Sequence, residues 1–228
     1  MDINEIFKEI ETAKMVISKN DIKLPNGEQI SVQGFGICKD NSYKENSYKE
    51  NSYRYYLEFN IDKPLGKKGQ LISILMNPSN KTCPDKNIDG TIQNVIKMAY
   101  VTGYSKVVIL NSFALIQSSG EKATETFKNN DYEKLNKDFI KEYLNKNSNT
   151  NILCAWGEKS KIAELKDVDK ILKNKFVYSL TKKNYPRHAS PYNSKAVNEF
   201  ILEEFKKDIK DRTFIKVTEI KENGKIAK

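Results

Sequence analysis

The chain has 228 residues, 38% hydrophobic and 30% charged, with a formal net charge of +9. That is the profile of a soluble globular chain long enough to bury a real core, and no apolar run approaches the roughly 20 residues that a spanning helix needs. The N-terminus, MDINEIFKEIETAK, carries acids where a signal peptide carries bases, so a cytoplasmic location is expected.

In chain order, residues 3–17 place apolar side chains at helical spacing and predict an amphipathic helix. Pro25-Asn26-Gly27 is a turn signal, and the following GEQISVQGFGI predicts a strand. NSYKE, NSYKE and NSYR, starting at 41, 46 and 51, form a repeat too short for a solenoid. It reads as a surface loop or as a Tyr/Lys arm able to touch bases and phosphates. Strand and helix then alternate. YRYYLEF, LISILMN (71–77), KVVILNSFAL (106–115), NILCAWG (151–157) and KFVYSL (175–180) predict strands. TIQNVIKMAYVTG (91–103), DYEKLNKDFIKEYLNK, KSKIAELKDVDKILK and residues 194–210 predict helices. The tail is expected to turn at Asn223-Gly224 or to stay loose.

Apolar strands alternating with helices predict an α/β fold. The expected architecture is a three-layer sandwich with a central, mainly parallel four-stranded sheet flanked by helices, plus a small N-terminal α+β extension. The expected organisation is an extension over 1–60, the α/β domain over 61–210 and a basic tail over 211–228. Cys38, Cys83 and Cys154 lie far apart without a C-x-x-C pair, and His188 is the one histidine. No cofactor, disulfide framework or metal site is therefore expected. The positive charge favours a polyanionic partner, nucleic acid before an anionic membrane.

In parallel sheets, ligands bind beyond the carboxyl ends of the strands. The residues there are Asn77-Pro78-Ser79, Asn111-Ser112-Phe113, Trp156-Gly157-Glu158 and the loop Pro186-Arg187-His188-Ala189-Ser190-Pro191-Tyr192. A strand-end asparagine is costly unless its amide is satisfied, and two of them converge here with the histidine. Taken singly, Asn77 reads as an Asx-turn and Asn111 as a loop cap. Together they read as a site.

These four motifs, in this order, resemble the uracil-DNA glycosylase superfamily over about residues 68–207. Met76-Asn77-Pro78-Ser79 stands at its first motif, with asparagine as in the mismatch-type branch. Val108-Ile109-Leu110-Asn111 resembles its L-L-L-N strand, Leu153-Cys154-Ala155-Trp156-Gly157 its L-L-W-G strand, and His188-Ala189-Ser190-Pro191-Tyr192 its H-P-S-P-L loop. The chain also looks like an uncharacterised bacterial family in which L-N-P-S is followed by D-x-T and a P-R-H-P loop. It departs in carrying Ala189 after the histidine and Tyr192 at the wedge position.

The resemblance implies a monofunctional DNA glycosylase acting on an extruded base in double-stranded DNA, as a monomer. His188 would donate to the pyrimidine oxygen as charge develops, and Asn77 would orient water. Asp89 could assist as a base, its plainer reading being a helix N-cap, with Asp85 a lesser candidate. Pro78, Ser79, Asn111 and Phe113 would line the base. Arg187 would hold a phosphate, with Ser190, Pro191 and Tyr192 meeting the DNA and Tyr192 filling the vacated stack. Ser79 stands where strict uracil enzymes carry a tyrosine that crowds the pyrimidine's fifth carbon. A C5-substituted base, such as a modified phage cytosine or uracil, is therefore the expected substrate, and antiviral defence the expected role. A uracil/thymine mismatch repair enzyme, a non-catalytic nucleic-acid-binding module and an enzyme acting on free nucleosides are the rival readings.

Overall fold

Period-two alternation in the central strands organises the molecule into layers. The computed structural model describes residues 1–12, 20–39, 43–44, 47–48, 52–79, 88–116, 131–158, 168–221 and 223–227. The strands are β1 (Asn20–Lys23), β2 (Gln29–Lys39), β3 (Tyr43–Lys44), β4 (Ser47–Tyr48), β5 (Tyr53–Ile61), β6 (Lys68–Leu75), β7 (Tyr104–Asn111), β8 (Asn151–Cys154), β9 (Lys175–Val177) and β10 (Ile215–Lys216). The helices are α1 (Ile3–Thr12), α2 (Gly90–Val101), α3 (Asp131–Lys146), α4 (Val168–Ile171) and α5 (Ser194–Phe205).

Eight strands form one mixed sheet in the order β1-β2-β5-β7-β6-β8-β9-β10, while β3 and β4 pair only with each other. The pairings β7/β6, β6/β8 and β8/β9 are parallel. The pairings β1/β2, β2/β5, β5/β7 and β9/β10 are antiparallel. The α/β class with flanking helices agrees with the expectation. The sheet, however, is larger and more antiparallel than the four mainly parallel strands expected. The reason is visible in β5, whose two edges both pair antiparallel, with β7 on one side and β2 on the other, so the N-terminal strands extend the parallel core. Strands from the expected N-terminal extension and from the tail thus belong to the same sheet as the α/β segment.

Ile72, Ile74, Val108 and Leu110 face Ile6 of α1 and Phe139, Ile140 and Leu144 of α3. Their strand neighbours Leu71, Leu75, Val107 and Ile109 face Ile92, Val95 and Ala99 of α2 and Val197 and Ile201 of α5. Each step of one residue changes the face, so each strand supplies both cores. The connection β6–α2–β7 steps one way along the sheet and β7–α3–β8 steps back past β6, which puts their helices on opposite faces. Strand order therefore reverses between β6 and β8, and the crevice beyond their carboxyl ends is where ligands bind in sheets of this kind.

Several local signals act as their chemistry predicts. Gly27, at φ 91°, turns the β1–β2 hairpin, and Gly103, at φ 88°, follows α2. The tail turns at Asn223-Gly224, closing an antiparallel bridge between Ile220 and Ile226. Of the repeat, the described residues form a short ladder, Tyr43 opposite Tyr48 and Lys44 opposite Ser47. The ends of the first helix (13–17) and most of the helix predicted over 159–173 lie outside the described residues, as do Cys83 and Asp85. No helix among the described residues is long and apolar enough to cross a membrane.

Candidate functional site

Asn111 is the last residue of β7 and paired with Leu75, the last of β6. By the strand's alternation it faces the same side as Val107 and Ile109, the side of α2 and α5. It is 2% exposed, and its side-chain Oδ1 has no hydrogen-bond partner. Its backbone carbonyl, by contrast, accepts from Asn136 Nδ2 of α3 at 3.0 Å. The strand-end contact continues past the sheet: Ser112 N donates to Leu75 O and Phe113 N to Met76 O, both at 2.9 Å. Ser112 Oγ also donates to Met76 O at 2.9 Å. These bonds hold the Asn77 and Asn111 segments together, with Phe113 fully buried against Met76.

Asn77 is half-buried and donates from Nδ2 to Pro78 O at 3.3 Å, a local turn contact. Pro78 is buried and Ser79 half-buried. Asp89 is the N-cap of α2, its Oδ1 accepting from Thr91 N at 2.8 Å and Ile92 N at 3.1 Å. Its capping role is thus real, and its charge also reaches His188.

The His188 loop is a closed hairpin. Leu180 bridges Pro186 in antiparallel fashion, Thr181 N donates to Tyr185 O, and Asn184 turns the chain at φ 65°. The carbonyl of His188 accepts from Tyr178 Oη at 2.9 Å and from Asn193 Nδ2 at 2.8 Å. The next carbonyl, of the buried Ala189, accepts from Asn94 Nδ2 at 2.9 Å. Gly157, at φ 78°, lies against the histidine: a Cβ there would stand 3.2 Å from His188 Cβ. Gly157 N donates to Pro186 O at 3.1 Å, which joins the β8 end to the loop. Burial holds the His188 imidazole below its ordinary value, opposed by the Asp89 carboxylate. The ring is therefore neutral at pH 7, with one N–H to donate.

Arg187, expected at a phosphate, turns back on its own loop. Its guanidinium donates to Ser179 Oγ, Leu180 O and Asn193 Oδ1 at 3.2, 3.0 and 3.4 Å. Ser190 Oγ accepts from Asn193 Nδ2 at 3.3 Å. Pro191 to Asn193 form one turn of 3-10 helix leading into α5, and Ser194 Oγ donates to Pro191 O at 2.5 Å. From this braced turn Tyr192 projects, 100% exposed.

Four supports escape a sequence reading. Gly90 and Asn94 of α2 receive the loop, and Glu133 and Asn136 of α3 hold the β7 end. Glu133 is a buried carboxylate that accepts from Ala114 N through both oxygens at 3.0 Å and from Leu115 N at 2.9 Å. Burial pushes its carboxyl up, against those donors and Lys137. The available signal was their place on the apolar stripe of α3 with Phe139, Ile140 and Tyr143, where a polar residue needs a partner. The Cys154 thiol is fully buried and pushed up by that burial, so it is no nucleophile. Among the described residues, no cluster of three His, Cys, Asp or Glu could hold a metal ion.

A family model described as "Protein of unknown function (DUF1643)" matches residues 54–190. The match covers more than half of the 228 residues, so the chain belongs to this family. It spans β5 to the His188 loop and thus every strand end described above. No curated protein matches the chain.

Proposed function

We propose that this member of the DUF1643 family is a monofunctional DNA glycosylase that hydrolyses the N-glycosidic bond of an extruded, C5-substituted pyrimidine. The observation that carries the reading is the buried Oδ1 of Asn111, an acceptor with no partner at the strand end that faces the His188 side. Such a group costs about 1–3 kcal/mol to leave unpaired. A ligand bringing a donor, such as a pyrimidine ring N–H or exocyclic amine, recovers that cost. The parallel strands β7, β6, β8 and β9 are the glycosylase-like core on this reading, and the crevice where their order reverses takes the base.

In the reaction, the bond between the sugar C1′ and the base nitrogen breaks with its electron pair leaving on the base. Water adds to C1′ and loses a proton, and the base anion takes one up. His188, as a neutral imidazole, donates to the base oxygen as negative charge grows there; one such donor is worth roughly 100-fold or more in rate. Asn77 orients the water, since an amide has no useful basicity. Ser79 leaves room at the fifth carbon. Tyr192 enters the stack vacated by the base, and the braced loop behind it bears the cost of extrusion, a few kcal/mol. Arg187 serves as the brace of that loop. The protein acts as a monomer on double-stranded DNA in the cytoplasm, and a phage genome rich in modified pyrimidines is the target that gives it a defence role.

The test is mass spectrometry of bases released from a panel of modified DNAs, with alkaline scission of abasic strands, for wild type, Asn77→Ala and His188→Ala. A released C5-substituted base, lost in both variants, supports the reading. Release of plain uracil or thymine alone turns it into mismatch repair. Binding without release makes the protein a non-catalytic module.

A further inference from the structure

The C-terminal tail returns to the loop that carries His188. After β10 pairs with β9, Val217 N donates to Lys175 O at 2.9 Å and Ile220 N to Asp169 Oδ1 at 2.6 Å. The chain then turns at Asn223-Gly224, with Gly224 at φ 79°, and comes back so that Ile226 bridges Ile220. Val217, Ile220 and Ile226 are buried in the same core as Trp156 and Val177, and Leu180 packs against it. From this anchored hairpin, hydrogen bonds reach both sides of the His188 loop. Trp156 Nε1 donates to Gly224 O at 3.3 Å in the interior. Ile226 N donates at 2.8 Å to the carbonyl of Asn184, the residue that turns the loop. Beside it, Lys225 Nζ stands 5.5 Å from the centre of the Tyr185 ring.

Both bonds end next to the histidine. Gly157 follows Trp156 and donates to Pro186 O at 3.1 Å; a Cβ on it would stand 3.2 Å from His188 Cβ. Asn184 and Pro186 belong to the hairpin that leads into His188. On the other face of the sheet, α2 seats the far end of the loop. Asn94 Nδ2 donates to Ala189 O at 2.9 Å, and Gly90 leaves room for the Pro191 ring. The histidine loop is thus gripped by a helix from one face and by the tail from the other. We propose that the C-terminal hairpin over 217–227 is a strap that positions the His188 loop, with Trp156 the positioning residue through which it acts on Gly157 and the histidine. A reacting group on a loop needs rigid neighbours to fix its place, since a displacement of ~1 Å can cost ~100-fold in rate. The strap lies outside the segment 54–190 that the family model matches, so residues beyond that segment complete the site. The catalytic consequence rests on the glycosylase reading; the geometry does not.

Trp156 and His188 are the only residues of their kinds, so each gives a single signal in the full chain. Gly224→Ala puts a side chain at a left-handed φ and strains the turn. Ile226→Pro removes the N–H that Asn184 O accepts. Lys216→Ala, at an exposed position of β10, is the control. In the first two variants the Trp156 emission is expected to move to the red and the His188 ring-proton resonances to leave their wild-type positions, with cooperative unfolding kept. Lys216→Ala is expected to change neither signal. On a DNA that the protein cleaves, kcat is expected to fall roughly tenfold or more in both variants while KM holds. Trp156→Phe, which keeps a ring but loses the N–H, is expected to give the same split. His188 resonances unmoved in Ile226→Pro overturn the proposal, as does an equal movement in Lys216→Ala. Loss of cooperative unfolding in both strap variants also overturns it, because the tail is then part of the fold's core and not a strap. Wild-type kcat in Trp156→Phe removes that residue's role. Moved resonances with no base released from any DNA by the wild type keep the strap and refute the glycosylase reading instead.

Discussion

Replacing Asn111 by leucine is expected to stabilise the protein while abolishing its chemistry. The two side chains have similar volume. At 2% exposure, the change removes a buried acceptor that has no partner and adds apolar surface beside Leu75, Val107 and Ile109. Leaving such an acceptor unsatisfied costs about 1–3 kcal/mol, of which some is offset by imperfect packing of the branched chain, so a gain of about 1–2 kcal/mol is expected. For a chain of this size each kcal/mol moves Tm by about 2–4 °C, giving a rise of roughly 2–8 °C. Calorimetry or thermal circular dichroism measures it, beside base release from the DNA panel that tests the glycosylase proposal. The backbone bond from Asn136 is untouched by the change and serves as the internal control. A site residue kept at the expense of stability is the signature of function. A variant that loses stability refutes the reasoning, because Asn111 would then be holding the fold.

Other substitutions separate the site from its supports. Tyr192→Ala removes a fully exposed ring, so stability should stay within about 0.5 kcal/mol while release from duplex DNA falls more than release from single strands. Gly90→Ala should leave stability near wild type, since a helical glycine gives up roughly 0.5–1 kcal/mol against alanine. It should nonetheless slow catalysis tenfold or more, since displacing reacting groups by ~1 Å can cost ~100-fold. Glu133→Ala strands the amides of Ala114 and Leu115 and should cost about 2–5 kcal/mol in denaturant unfolding. The pH dependence follows from His188, whose folded value lies below its unfolded one of 6.5. Below 6.5 the unfolded chain takes up the proton first, so the histidine's share of stability is complete above 6.5 and is lost as pH falls through the folded value. A difference titration of wild type against His188→Gln reads it.

The site was more legible in sequence than its supports. Asn77 and Asn111 fall at or just past strand ends because an apolar run followed by Asn is readable without knowing any partner, whereas His188 lies in the loop that follows β9. The helix over Asp131–Lys146 has the bounds expected, its stripe being a local pattern. The closing helix, expected to reach 210, stops at Phe205 because of a contact that no local pattern carries. Glu204 Oε2 accepts from Thr213 N at 2.9 Å, folding the chain back over the helix end. Likewise the strand expected over 175–180 ends at Val177, since Ser179 O takes its hydrogen from Arg187 N inside the loop's own hairpin.

The sequence by itself determined the alternation of strands and helices, the turns at Gly27 and Asn223-Gly224, and the polar residues at the sheet's carboxyl edge. Those depend on periodicity and backbone preference, which act over a few residues. Only the tertiary structure decided that the N-terminal strands extend the same sheet, that Arg187 braces its loop, and that Gly90 and Asn94 receive the loop that carries the histidine. The seat depends on a donor 95 residues from its acceptor and on room for a ring, while Arg187 chooses partners six to eight residues away that only the folded loop brings within reach. Burial makes such matches obligatory, because an unpaired polar group inside the fold is expensive; among the described residues Asn111 Oδ1 and Asn136 Oδ1 are buried amide oxygens left open, and Asn111 is the one at the sheet's carboxyl edge.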